Sequence, residues 1–147
     1  MPFRLSQRSL KALVGVHPDL VRVVKTAIKI TAVDFVVLEG LRTPARQAQL
    51  VKAGASRTLN SRHLSGHAVD LAVWLGTVRW EFPLYQALWD AMQAAGRTEG
   101  VPVQWGGLWR SRDGPHFQLP WASYPSAATD ASSAAIASSN SARAAKS

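Results

Sequence analysis

The chain has 147 residues, 47% of them hydrophobic and none of them cysteine, and its 17 Lys+Arg against 9 Asp+Glu give a net charge of +8. That length supports one compact domain with its own core and is too short for two ordinary ones. Without cysteine there is no disulfide, thiolate metal site or cysteine nucleophile, so any metal must be held by His and carboxylate. The charge favours an anionic partner and does not itself choose among nucleic acid, a membrane surface and wall polymers.

Met1-Pro2-Phe3-Arg4-Leu5-Ser6 lacks the apolar core of a signal peptide, and no later stretch is apolar and long enough to span a bilayer. The expectation is a soluble protein made in the cytoplasm, without stable membrane insertion. Pro18 stands at a first helical position, and Leu20, Val21, Val23, Val24, Ala27 and Ile28 follow at helical spacing, which predicts a core-facing helix. Phe35-Val36-Val37-Leu38 reads as a buried strand ending at Glu39-Gly40, with Arg42 just past its end. Thr43-Pro44, then Ala45 to Ala53 and Gly54, supply a cap, a first-turn proline and a glycine stop for a short helix.

Residues 68 to 73 alternate as a strand would. Val69, Leu71 and Val73 then face one side, and Asp70 shares the other with Ala68 and Ala72. A further helix is expected from Pro83 to Ala95, with Leu84, Leu88, Ala91 and Ala95 on one face and Gly96 as its stop. After Pro115 the alternation returns, with Phe117 and Leu119 inward and His116 and Gln118 on the opposite face. From Ala122 to Ser147, 18 of 26 residues are Ala or Ser, too little apolar surface to offset ordering, so a folded domain 1–121 and a disordered tail 122–147 are expected. The tail takes one positive charge with it, leaving +7 on residues 1–121.

The chemistry gathers in two segments, Ser61-Arg62-His63-Leu64-Ser65-Gly66-His67-Ala68-Val69-Asp70 and Asp113-Gly114-Pro115-His116. A carboxylate among alanines needs a cation or donors if it is buried. His63, Asp70 and His116 make a three-ligand nitrogen and oxygen set that leaves a coordination position open, as a catalytic zinc requires. Asp113, three residues before a ligand, is placed to shuttle a proton between a metal-activated water and a leaving amine. A rival set exists: His63, His67 and Asp70 would share one face if the segment were helical, a reading that Gly66 and Val69 weaken.

Ser61-x-His63-x-x-Gly66-x-Ala68-x-Asp70 followed by Asp113-x-x-His116 resembles the signature of the VanY/VanX-like (M15) zinc D-alanyl peptidases, and within them the phage endolysins that act as L-alanyl-D-glutamate peptidases. The likeness extends to Glu39-Gly40-Leu41-Arg42-Thr43, Gly54-Ala55-Ser56 and Trp105-Gly106-Gly107-Leu108-Trp109, and spans roughly residues 15 to 120. It implies a single α+β domain of the hedgehog/DD-peptidase type, with helices packed on a small, mostly antiparallel sheet. It further implies Zn2+ on His63, Asp70 and His116, Asp113 as general acid/base, and Arg42 as a cation near the substrate carbonyl or carboxylate. The implied substrate is the peptidoglycan stem peptide, cut between L-alanine and D-glutamate, with D-alanyl-D-alanine carboxypeptidase as the enzymatic alternative. The enzyme would be a monomer held in the host cytoplasm until membrane permeabilisation admits it to the wall.

Ser61 reads equally as a substrate contact or a turn cap. Trp105 and Trp109 are placed beside the cleft and Trp89 in the core, while Gly106-Gly107 is either a turn or a bare backbone strip for a peptide. His17 reads as a surface or hydrogen-bonded residue. Two readings of other classes stand beside the enzyme: a non-catalytic wall-binding module, and a small basic DNA-binding protein. The intact ligands and Asp113 oppose the first, and the lack of a helix dense in Arg and Lys opposes the second, so no nucleic-acid partner is expected.

Overall fold

The computed structural model describes residues 2–56 and 58–125. Its element order is α1 (Gln7–Ala12), α2 (Pro18–Ile30), β1 (Phe35–Glu39), α3 (Pro44–Lys52), a 3-10 turn (Arg62–Ser65), β2 (Ala68–Trp74), β3 (Val78–Arg79), α4 (Phe82–Glu99), β4 (Gln104–Trp105), a second 3-10 turn (Gly106–Leu108) and β5 (His116–Gln118). The strands form one antiparallel sheet in the order β1-β2-β5-β4, with β3 pairing onto β2. This is the single α+β domain expected, helices on a small antiparallel sheet. The Ala/Ser-rich tail lies outside the described residues from position 126 onward, and no helix among the described residues is long and apolar enough to cross a membrane.

The core follows from the two periodicities. Leu20, Val23, Val24, Ala27 and Ile28 bury one stripe of α2, and Leu88, Ala91, Met92 and Ala95 bury one stripe of α4. These stripes close against Phe35 and Val37 of β1, Val69, Leu71 and Val73 of β2, and Phe117 and Leu119. Each large apolar side chain so buried contributes roughly 1.5–3 kcal/mol. The opposite faces of β2 and β5 are left to carry Asp70, His116 and Gln118.

Local chemistry sets the ends. Pro18 begins α2, and the His17 ring caps it by accepting from the Asp19 N–H at 3.0 Å. Thr43 caps α3 by accepting from the Arg46 N–H at 3.1 Å, and Gly54 follows at φ +78. α4 departs from expectation: it runs through Gly96 and ends at Gly100, whose φ of 71 supplies the left-handed cap. Gly96 serves packing instead, because a β-carbon there would lie 2.6 Å from the Val101 carbonyl. The short α1 has no apolar periodicity to announce it. It is held by the Ser6 cap and by buried Ser9, whose hydroxyl accepts from the Val37 N–H at 3.0 Å.

Candidate active site

His63 and Asp70 arrive on different kinds of backbone. Ser61 caps the first 3-10 turn by accepting from the His63 N–H at 3.2 Å, and the turn ends at Gly66 in the left-handed region, φ 76. A side chain at Gly66 would also collide with the Gly15 carbonyl. Beyond this reversal the chain enters β2, where Asp70 stands directly opposite His116 of β5. The helical alternative for this segment therefore falls, since His63 lies in a 3-10 turn and Asp70 on a strand. His67 turns away to Ser65 Oγ at 2.7 Å and lies against the rings of His17 and Tyr124.

His63, Asp70 and His116 offer ligand atoms that all lie within 4.8 Å of one another, a spacing that can hold a metal ion. Asp70 Oδ1 is 3.3 Å from His63 Nε2 and 3.4 Å from His116 Nδ1. Hydrogen bonding on the far side of each ring decides which nitrogen is available. His63 Nδ1 lies 2.8 Å from the Gly40 carbonyl, which only accepts, so Nδ1 carries the proton and Nε2 presents its lone pair. His116 Nε2 lies 2.8 Å from Gln118 Oε1, and Gln118 in turn donates to Gln104 at 3.1 Å, which leaves His116 Nδ1 as the free base. His63 Nε2 is buried with no hydrogen-bond partner among the described residues, a costly arrangement for a polar atom and the one a cation relieves. The residues present fit a metal.

Burial would raise the Asp70 carboxyl, but the facing His63 and His116 rings outweigh it and hold it well below the usual carboxylate range. At His63 desolvation pulls downward and the Asp70 charge upward, with a net rise. Asp113 is pushed above the ordinary 3.8, chiefly by burial and further by Asp70, against the opposing pull of His116. Its backbone is fixed by Asp113 N–H to the Gly106 carbonyl at 2.9 Å and by His116 N–H to the Asp113 carbonyl at 3.2 Å. A β-carbon on Gly106 would lie 2.5 Å from that Asp113 carbonyl, so this glycine makes room for the Asp113 turn.

These groups open on a cleft of about 420 Å³ lined by Glu39, Arg42, Ser61, His63, Asp70, Asp113 and His116, with Leu50, Gly54 to Ser56, Ser111 and Arg112 at its sides. Arg42 is buried and heavily engaged. It donates to both Glu39 oxygens at 2.7 and 3.2 Å, to Gln47 Oε1 at 2.7 Å and to Asp70 Oδ2 at 3.4 Å. Sequence reasoning missed Gln47, whose signal was a glutamine on the inward side of α3. It also missed Glu39's part, which depends on a register irregularity: Val37 faces Leu71, yet Glu39 rather than Leu38 faces Asp70.

Ser61 lines the cleft while serving as the turn cap. Trp105 does not line it: the ring is 3% exposed, stacked with Phe82, Trp89 and Phe117, and its indole N–H donates to the Gly114 carbonyl at 2.7 Å. Gly107 has to be bare because it lies under that ring. Trp109 is the tryptophan beside the site, with its ring 5.1 Å from that of His116.

On the far side of His63, Arg62 is fully buried, with no carboxylate among the described residues in ion-pair distance. It donates to the carbonyls of Leu119, Pro120 and Tyr124, and its guanidinium lies 4.2 Å above the Trp121 ring. Tyr124 completes this clasp by donating to Asp19 at 2.6 Å and meeting His17 edge-on.

Known proteins resemble this chain in sequence and fold. The chain is 29% identical over 129 residues to the L-alanyl-D-glutamate peptidase of Escherichia phage T5, covering 84% of this chain and 94% of that protein. The crystal structure of the Serratia marcescens L-Ala D-Glu endopeptidase ChiX superposes with a TM-score of 0.78 at 48% identity, covering 83% of this chain and 94% of the other. The phage L-alanyl-D-glutamate peptidase family matches residues 1–119, and the chain belongs to that family.

Proposed function

We propose that this protein is a zinc-dependent peptidase that cuts the L-alanyl-D-glutamate bond of peptidoglycan stem peptides, acting as a phage-type endolysin. The observation that carries the reading is the lone pair of His63 Nε2, buried without a partner beside Asp70 and His116 in a cleft that Asp113 also lines. Zinc suits a set of two imidazoles and a carboxylate, and when bound it supplies Lewis acidity toward a carbonyl and a water-derived nucleophile at neutral pH.

The chain's own residues do the rest. Gly40 and Gln118 fix the two rings in the tautomers that point a lone pair at the site. Arg42 holds Asp70 Oδ2, so the carboxylate keeps its orientation. Asp113, held above the ordinary carboxyl range, takes a proton from the attacking water and returns it to the nitrogen of the leaving D-glutamate. The net charge of +8 favours approach to anionic wall polymers. In this reading the monomeric catalytic domain runs past the expected boundary at 121 to include Tyr124, which meets Arg62 and Asp19, the Ala/Ser-rich remainder is an appendage, and the protein reaches the wall once the host membrane is breached.

The test is mass spectrometry of purified peptidoglycan fragments after incubation with the protein, with one sample treated with chelator and then resupplied with zinc. New D-glutamate amino termini that vanish with chelator and return with zinc support the reading. Released D-alanine moves the assignment to a carboxypeptidase, and intact fragments in every zinc-supplied sample overturn it.

A further inference from the structure

We propose that Arg112 reads the free carboxylate of the D-glutamyl residue on the leaving side of the scissile bond. The inference rests on the bond assignment above and concerns how that bond is selected. Glutamate has two carboxyl groups, and a peptide spends at most one of them in continuing the chain. A substrate cut before D-glutamate therefore brings a negative charge within a few bonds of the reacting carbonyl.

The cleft already contains Glu39, Asp70 and Asp113, so an entering carboxylate needs a cation of its own. Among the described residues two arginines line the cleft, Arg42 and Arg112. Arg42 is buried at 8% exposure and already committed to Glu39, Gln47 and Asp70. Arg112 is exposed, and no carboxylate among the described residues lies within ion-pair distance of it.

Its guanidinium is nonetheless held in place, 4.7 Å from the centre of the Phe82 ring, which itself stacks on buried Trp105 at 5.5 Å. A guanidinium resting on an aromatic face keeps its N–H edge free for bidentate carboxylate binding and loses less freedom when the ligand arrives. Arg112 directly precedes Asp113, whose backbone is pinned to Gly106, so the reading group and the proton-transfer group share one rigid turn. The placement assigns Arg112 to substrate choice and Asp113 to chemistry.

The experiment uses the full zinc-loaded chain and two synthetic stem peptides. One carries D-glutamate with its free carboxylate, and the other carries the same residue with that carboxylate amidated. Rates are compared for the wild-type protein, Arg112→Gln and Arg112→Lys. The wild-type protein should prefer the carboxylate peptide by roughly 10- to 100-fold in kcat/KM, the range of a charge-assisted hydrogen bond. Arg112→Gln should collapse that ratio toward one through a raised KM for the carboxylate peptide, and Arg112→Lys should restore part of it. A ratio unchanged in Arg112→Gln, or a loss equal for both peptides, overturns the proposal. Cleavage of neither peptide by the wild-type protein overturns the bond assignment itself, and the role of Arg112 with it.

Discussion

The Gly40 carbonyl lies 2.8 Å from Nδ1 of His63, and this one contact determines which edge of a ligand ring faces Asp70. Gln118 does the same for His116 from the opposite edge, through Nε2. The two histidines thus present different nitrogens to one point. Replacing Gln118 with Leu removes the acceptor that fixes His116, and zinc affinity should fall by roughly 10- to 100-fold with all three ligands intact. Competition against a fluorescent chelator measures it, and unchanged affinity would show that the Gln118 contact does not matter.

Asp113→Asn keeps the shape of the turn and removes the proton carrier. We expect kcat to fall on the order of 10²–10⁴-fold, with zinc stoichiometry unchanged by elemental analysis. Loss of metal in step with activity would instead make Asp113 part of the metal's support.

Arg42→Met should act on the site through Asp70 and Glu39. Two carboxylates lose a buried partner, so stability should drop by about 3–5 kcal/mol and zinc should bind more weakly. Denaturant titration and chelator competition read the two effects. A variant of wild-type stability with only a raised KM would return Arg42 to the role of a direct substrate contact.

His67 sets an acid limit on the fold. Burial, with help from Arg62 and His17, pushes its imidazole down to about 4, so between that value and its ordinary 6.5 the unfolded chain binds a proton that the folded chain refuses. Stability from this group is complete above about pH 6.5 and is lost as pH falls toward 4. The loss should be of the order of 1–2 kcal/mol after screening, and His67→Gln should flatten that limb of a melting-temperature profile. An identical acid limb in the variant would assign it to other groups.

The pairing of Asp70 with His116 in the candidate site was legible because strand alternation is a strict rule. Once Val69, Leu71 and Phe117 are turned inward, Asp70 and His116 must share the other face, and the register places them opposite one another. Arg42 was placed at the right spot with its engagement unseen, because Glu39 reaches the same face only through the irregularity between Val37 and Glu39. Trp105 was misplaced beside the cleft for a related reason. It belongs to a two-residue strand whose burial is decided by Phe82, Trp89 and Phe117, which come from two other elements. Gly96 looked like a stop because sequence alone does not distinguish a glycine that ends a helix from one that lets Val101 pass close by.

The clasp around Arg62 makes the site depend on chain that contains none of its chemistry. A fragment ending at Gln118 would carry His63, Asp70, Asp113 and His116, yet it would strip the buried guanidinium beside His63 of the carbonyls of Leu119, Pro120 and Tyr124. An uncompensated cation in that position costs several kcal/mol, a sizeable share of a small domain's whole stability. During synthesis the same dependence imposes an order, because His63 and Asp70 leave the ribosome long before the segment that steadies them. A nascent chain therefore holds an incomplete centre until the turn around Tyr124 has emerged.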